Sequence, residues 1–277
     1  MNIVIFDVTK KSGERAIFQG SLKFERDFYN YMSDFKEKKA VVTGATRGIG
    51  RAIATAFLEK GAQVIGLYGG NEEAARSFER EQGKFSDRLH LFQCDVSDYK
   101  AVEKFYGLIE DRFDTIDILI NNAGIRRDGV LAMLGPDDWQ RVIDVNLSGS
   151  YNMAKFAVQL MMKQKYGRIV FITSPMAHLG FAGQANYAAS KAGQIGMMHS
   201  LSKETARRNI TVNCVSPGFI ATELIEDLPE AQVREYRKMV PMRRFGSPEE
   251  VAEAVLFLSG PKASYITGSV LEIDGGL

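Results

Sequence analysis

From Lys39 to the end of the chain, short β-branched runs alternate with longer stretches whose apolar residues recur every 3.6 positions. The short runs are Ala40–Thr43, Val64–Leu67, Leu89–Cys94, Ile116–Ile120, Arg168–Thr173, Thr211–Val215 and Val270–Ile273. Most are apolar at consecutive positions, which is what a strand needs when both of its faces are covered. The periodic stretches are Ile49–Lys60, Glu72–Gln82, Tyr99–Phe113, Trp139–Lys165, Gln184–Arg207 and Pro248–Leu258. Alternation of this kind predicts an α/β fold: a doubly wound parallel sheet of about seven strands with helices on both faces. No linker interrupts 37–277, which reads as one domain. Residues 1–36 stand apart as an N-terminal extension, with a possible hairpin (Met1–Val8, Arg15–Phe18) and an amphipathic helix over Leu22–Phe35.

The first strand ends in Thr43-Gly44-Ala45-Thr46-Arg47-Gly48-Ile49-Gly50, and a helix pattern begins at once. A glycine turn there lets the backbone approach a pyrophosphate, while the helix N-terminus offers free N–H groups and a positive dipole end. The arrangement is Rossmann-like, with spacing G-x3-G-x-G, and the site residues it names are Gly44, Thr46, Arg47, Gly48, Ile49 and Gly50. Three further segments follow strands at the end where such sheets bind ligands: Asp95-Val96, Asn121-Asn122-Ala123-Gly124 and Pro217-Gly218. Asp95 could accept a hydrogen bond from an adenine amino group; Asn121 and Asn122 could equally form Asx turns. The end of the second strand, Leu67-Tyr68-Gly69-Gly70-Asn71, has no acid to bind a ribose 2′-hydroxyl, and Arg47 could pair with a 2′-phosphate. The expected cofactor is therefore NADP(H) in preference to NAD.

Tyr187 and Lys191 lie at i and i+4, on one face of a helix. A phenol near an ammonium has its pKa lowered, so the pair could pass a proton to a carbonyl oxygen as hydride arrives. The same spacing recurs at Tyr151 and Lys155, but only Tyr187 has a serine, Ser174, thirteen residues upstream at a strand end. Ser174 could hydrogen-bond the substrate carbonyl, and Asn146 could hold a water beside Lys191. His178 near Ser174 does not make a hydrolase, because no G-x-S-x-G elbow surrounds the serine.

These residues, in order and spacing, resemble the short-chain dehydrogenase/reductase family over about 37–277. The segments Gly183–Gly193, Ser216–Thr222 and Tyr265–Gly268 are most similar to those of bacterial 3-oxoacyl-acyl-carrier-protein reductases. The resemblance implies a tetrad of Asn146, Ser174, Tyr187 and Lys191, with Ile220 and Thr222 beside the nicotinamide. It implies NADPH-dependent reduction of β-ketoacyl thioesters in fatty-acid, polyketide or secondary-metabolite biosynthesis. It also implies a homotetramer, and an acidic acyl carrier protein docked on basic residues that here are Lys165 and Arg208. Arg207, Arg126 and Arg127 would enlarge that patch. Pro175, after the serine, departs from the family pattern and is expected to stiffen the loop. A free ketone, steroid, sugar or acyl-CoA is an alternative substrate, and a catalytically silent nucleotide-binding or scaffold subunit is an alternative of another class.

Composition narrows the partners. Lys plus Arg number 35 and Asp plus Glu 34, a formal net charge of +1, which argues against coating nucleic acid. No apolar run approaches the ~20 residues of a membrane span, and Ile3–Phe6 is too short for a signal peptide. Cys94 and Cys214 read as small buried residues of a reducing cytoplasm. No Cys/His cluster has metal-ligand spacing, so no metal is expected.

Overall fold

The computed structural model describes residues 35–223 and 229–277. The expected hairpin, and the amphipathic helix up to Asp34, lie outside the described residues. The chain runs β1 (Lys39–Thr43), α1 (Gly48–Glu59), β2 (Gln63–Tyr68), α2 (Glu72–Glu81), β3 (Leu89–Gln93), α3 (Tyr99–Phe113) and β4 (Ile118–Asn121). It continues through α4 (Pro136–Ile143), α5 (Gly149–Gln164), β5 (Gly167–Ile172), α6 (Ala185–Thr205), β6 (Ile210–Pro217), α7 (Glu230–Met239), α8 (Pro248–Ser259) and β7 (Val270–Ile273). The strands form one seven-stranded sheet in the order β3-β2-β1-β4-β5-β6-β7, with every pairing parallel.

Strand periodicity of two sorts the apolar residues into two cores. Ala40, Val42, Ile118, Ile120, Val170 and Ile172 face one side and pack on Phe57 and Leu58 of α1 and Val251 and Val255 of α8. Val41, Leu119, Ile169 and Phe171 face the other, against Phe105 and Ile109 of α3, Met153 and Leu160 of α5, and Met198 of α6. Both faces are thus covered, which is why the strands read as continuous apolar runs. Phe35, the last residue of the expected N-terminal helix, instead belongs to a turn. It is buried and meets Phe57 edge to face at 5.1 Å.

The order reverses at β1, whose neighbours are β2 and β4. Chain connections leave in opposite directions there, so a crevice opens at the carboxyl ends of β1 and β4. Two features depart from the sequence expectation. The single helix predicted over Trp139–Lys165 starts earlier, at Pro136, and contains a π-turn at Asp144–Ser148. Helix α7 falls in a stretch to which the hydrophobic periodicity assigns no element. It buries no residue, and only Val233 and Tyr236 are half-buried.

Candidate active site

The glycine turn after β1 is shaped by contacts that only glycine permits. Gly44 has φ +66°, in the left-handed region. A Cβ on Gly50 would collide with the Gly44 carbonyl oxygen and with Asn122 Nδ2, and would sit 2.9 Å from the Gly44 carbonyl carbon. Asn122 fixes this approach. Its side-chain amide donates to the Thr43 carbonyl at 2.9 Å and the Gly44 carbonyl at 3.2 Å. The Thr43 hydroxyl accepts from the backbone N–H groups of Asn122 and Ala123, both at 2.9 Å. The ends of β1 and β4 are thereby stitched together, and α1 begins over the crevice with no acid in its first turn.

Two adjoining cavities occupy the crevice. One, of about 770 Å³, is lined by Gly44, Thr46, Arg47, Gly48, Ile49, Gly50, Asp95, Val96, Asn122, Ala123, Gly124 and Thr222, and also by Tyr68, Gly69, Gly70 and Arg141. The other, of about 480 Å³, is lined by Ser174, Tyr187, Lys191, Pro217, Gly218, Ile220 and Thr222, with Arg126, Met176, Phe181, Phe219 and Tyr236. All the expected cofactor residues therefore lie on one continuous cleft, and a glycine cradle that any Cβ would fill suits a dinucleotide's pyrophosphate. Asp95 is less free than expected. Ser97 donates to it from both backbone and hydroxyl, and Arg141 pairs with it at 3.1 Å. Burial pushes its pKa up, but those hydrogen bonds and Arg141 outweigh burial and hold it below the usual value. Asp98 caps α3 by accepting from the Lys100 and Ala101 N–H groups, and Asn71 caps α2 by accepting from the Ala74 N–H.

Ser174 and Tyr187 stand on the wall of the smaller cavity together. Pro175 follows Ser174 at the start of a helical turn, Met176–Leu179, where no N–H is needed. The expected tuning of Tyr187 by Lys191 does not appear. Burial pushes the phenol above its ordinary value near 10, opposed by the Ser174 hydroxyl and the Arg126 charge. Lys191 Nζ instead lies 5.6 Å over the Tyr187 ring and donates to the Ile172 carbonyl at 2.7 Å. It is almost wholly buried, which lowers its pKa to about 8.

Asn146 sits in the π-turn and is 0% exposed. Its Oδ1 accepts from the Ile125 N–H at 2.8 Å, and its Nδ2 donates to the Ile125 carbonyl at 3.0 Å and to the Ser190 hydroxyl at 3.1 Å. A π-turn shifts the backbone pairing by one residue. Here the Asn146 carbonyl accepts from Gln194 Nε2 at 2.8 Å and the Ser150 hydroxyl at 2.7 Å. Asn146 thus clamps the loop after β4 onto α6. The sequence reading missed Gln194, because an amide inside an amphipathic helix carries no signal of its partner.

Tyr151 and Lys155 stand outside the cleft: Tyr151 is exposed, and Lys155 donates to the Tyr99 hydroxyl at 2.6 Å. Lys165 and Arg208 are exposed and come together ahead of the paired starts of β5 and β6. That end of the sheet is opposite the cleft, roughly 20 Å away at 3.3 Å per strand residue. Arg207 belongs with them. Arg126 and Arg127 do not: they line the smaller cavity at the carboxyl ends, so they cannot extend that patch.

Comparison with known proteins agrees with this geometry. Residues 44–277 match the family described as Enoyl-(Acyl carrier protein) reductase. The chain is 42% identical over 240 residues to 3-oxoacyl-[acyl-carrier-protein] reductase FabG of Aquifex aeolicus, covering 87% of this chain and 97% of the relative. It is 44% identical over 240 residues to the protein of the same name from Vibrio harveyi, with the same coverage. The Escherichia coli protein of that name is 42% identical over 244 residues, covering 88% and 98%.

Proposed function

The chain belongs to the short-chain dehydrogenase/reductase family, and from that premise we propose that it reduces 3-oxoacyl thioesters to 3-hydroxyacyl thioesters with NADPH, in fatty-acid or a related biosynthesis. The observation that carries this reading is that Ser174, Tyr187 and Lys191 line one cavity that opens onto the glycine cradle. Two hydroxyls on the wall of one cavity suit a carbonyl oxygen that gains negative charge.

Bound NADPH supplies the hydride. The turn at Gly44, Gly48 and Gly50 and the start of α1 would hold the pyrophosphate, and Arg47 would take the 2′-phosphate beside Tyr68, Gly69 and Gly70. Asp95 and Val96 would border the adenine, and Asn122, Ala123, Gly124, Pro217, Gly218, Ile220 and Thr222 would flank the nicotinamide half. Tyr187 donates its proton to the substrate oxygen while Ser174 donates a hydrogen bond to it. A phenol raised by burial is fully protonated at neutral pH, as a proton donor must be. Lys191 binds the ribose hydroxyls and, with its pKa near 8, can return the proton near neutrality. Asn146 positions these groups by holding Ile125 and Ser190.

The acyl group arrives on a carrier protein docked at Lys165 and Arg208. The protein would act as a cytoplasmic homotetramer. Among the described residues no helix is long and apolar enough to cross a membrane. One panel tests the reading: the same 3-oxoacyl group on carrier protein, on coenzyme A and on a small thiol, with NADPH and NADH in parallel and a 2-enoyl thioester as control. NADPH consumption with the 3-oxo substrates alone, fastest on the carrier, is expected. Turnover of the enoyl thioester alone would refute the proposal.

A further inference from the structure

The loop after β4 is fastened across the smaller cavity more firmly than a surface loop requires. Asn146 holds Ile125 from behind, Asn186 Nδ2 donates to the Arg127 carbonyl at 2.9 Å, and the Gly129 N–H donates to the Gly183 carbonyl at 2.8 Å. Between these anchors Arg126 enters the cavity wall shared with Tyr187 and Tyr236. Its guanidinium forms a two-pronged ion pair with Asp128, through Nε at 3.2 Å and through one terminal nitrogen. Asp128 is steadied in turn by Gln184 Nε2 at 3.2 Å. No hydrogen bond among the described residues uses the other terminal nitrogen. A fork so oriented retains donors for a ligand in the cavity. Because Asp128 already balances its charge, it suits a neutral acceptor better than a carboxylate or phosphate.

We propose that Arg126 holds the second carbonyl of the substrate, the C1 oxygen two carbons from the reacting ketone, and thereby selects 3-oxoacyl thioesters over simple ketones. This rests on the carbonyl-reductase reading and assigns Arg126 to specificity rather than to proton transfer. Tyr187 and Ser174 serve the C3 oxygen, and Arg126 fixes how far along the chain that oxygen must lie from the thioester.

The test compares wild type, Arg126→Met and Arg126→Lys on acetoacetyl-N-acetylcysteamine and on a methyl ketone of similar length lacking the second carbonyl. Losing a charge-assisted hydrogen bond should lower kcat/KM for the thioester about ten- to a hundredfold in Arg126→Met, mainly through KM. The loss on the ketone should be at least tenfold smaller, with partial recovery in Arg126→Lys. Equal losses on both substrates, or no loss on the thioester, overturn the proposal while leaving the reductase reading intact. A wild type inert towards both compounds overturns the two together. Melting temperatures of the three proteins, expected to agree, separate misfolding from lost recognition.

Discussion

Replacing Asn146 by alanine tests the fold and the site together. The substitution deletes three hydrogen bonds of a fully buried side chain: two to the backbone of Ile125 and one to Ser190. Ser190 keeps its own donation to the Tyr187 carbonyl at 2.7 Å, so it loses little. The Ile125 N–H and C=O are left unpaired, and a stranded buried group costs about 1–3 kcal/mol. Ile125 borders both cavities, so water can reach it and each cost falls toward the low end. The expected loss is about 2–4 kcal/mol, read by urea unfolding as a lower midpoint at unchanged slope. Asn146→Asp should cost more, because its second oxygen would face the Ile125 carbonyl and add a buried charge. Both variants should also reduce kcat/KM, since the freed loop carries Arg126. A loss under about 1 kcal/mol for Asn146→Ala, or an aspartate variant more stable than the alanine variant, would refute the clamp.

Two further outcomes follow from the geometry. Gly50→Ala should weaken NADPH binding at least about tenfold and cost about 1–3 kcal/mol, because α1 must back away from a turn that Asn122 holds in place; unchanged affinity by fluorescence titration would contradict the cradle. Lys191 titrates near pH 8 in the folded protein and near 10.5 unfolded. Between those values the unfolded chain holds the extra proton, so stability from this group is present above 10.5 and lost as pH falls through 8. Relative to Lys191→Met, the wild type should therefore gain about 3 kcal/mol from pH 8 to 10.5. A stability difference that does not change with pH would show that the ammonium is not desolvated.

Much of the scaffold was legible because a parallel sheet covered on both faces forces its strands to carry continuous apolar runs, as in Ile118–Ile120 and Ile169–Ile172. The cleft residues were legible because strand order assigns loops to one end of the sheet: Gly44, Asn122, Ser174 and Gly218 all follow strands. Tyr187 was separable from Tyr151 by the serine upstream. The same rule sorts the charges, although the sequence reading grouped them by sign alone. Arg126 and Arg127 follow a strand, whereas Lys165 and Arg208 precede strands, so the five basic residues once grouped as one patch divide between opposite ends. The π-turn was hidden because one residue of slippage barely disturbs a long apolar periodicity. Helix α7 was hidden because it is stabilised by local pairs such as Arg234 with Glu230 and Lys238 with Glu235 rather than by a buried face. Tyr106 shows the converse, a phenol buried far from the cleft whose hydroxyl only caps the Met153 carbonyl at 3.0 Å.

The claim that Tyr187 is the proton donor stands or falls on Tyr187→Phe. The variant keeps the ring that Lys191 overlies and removes only the hydroxyl. NADPH oxidation with an acetoacetyl thioester should fall about 10²- to 10⁴-fold, while NADPH affinity stays near that of the wild type. Turnover within about tenfold of wild type, well short of a general acid's contribution, would contradict it.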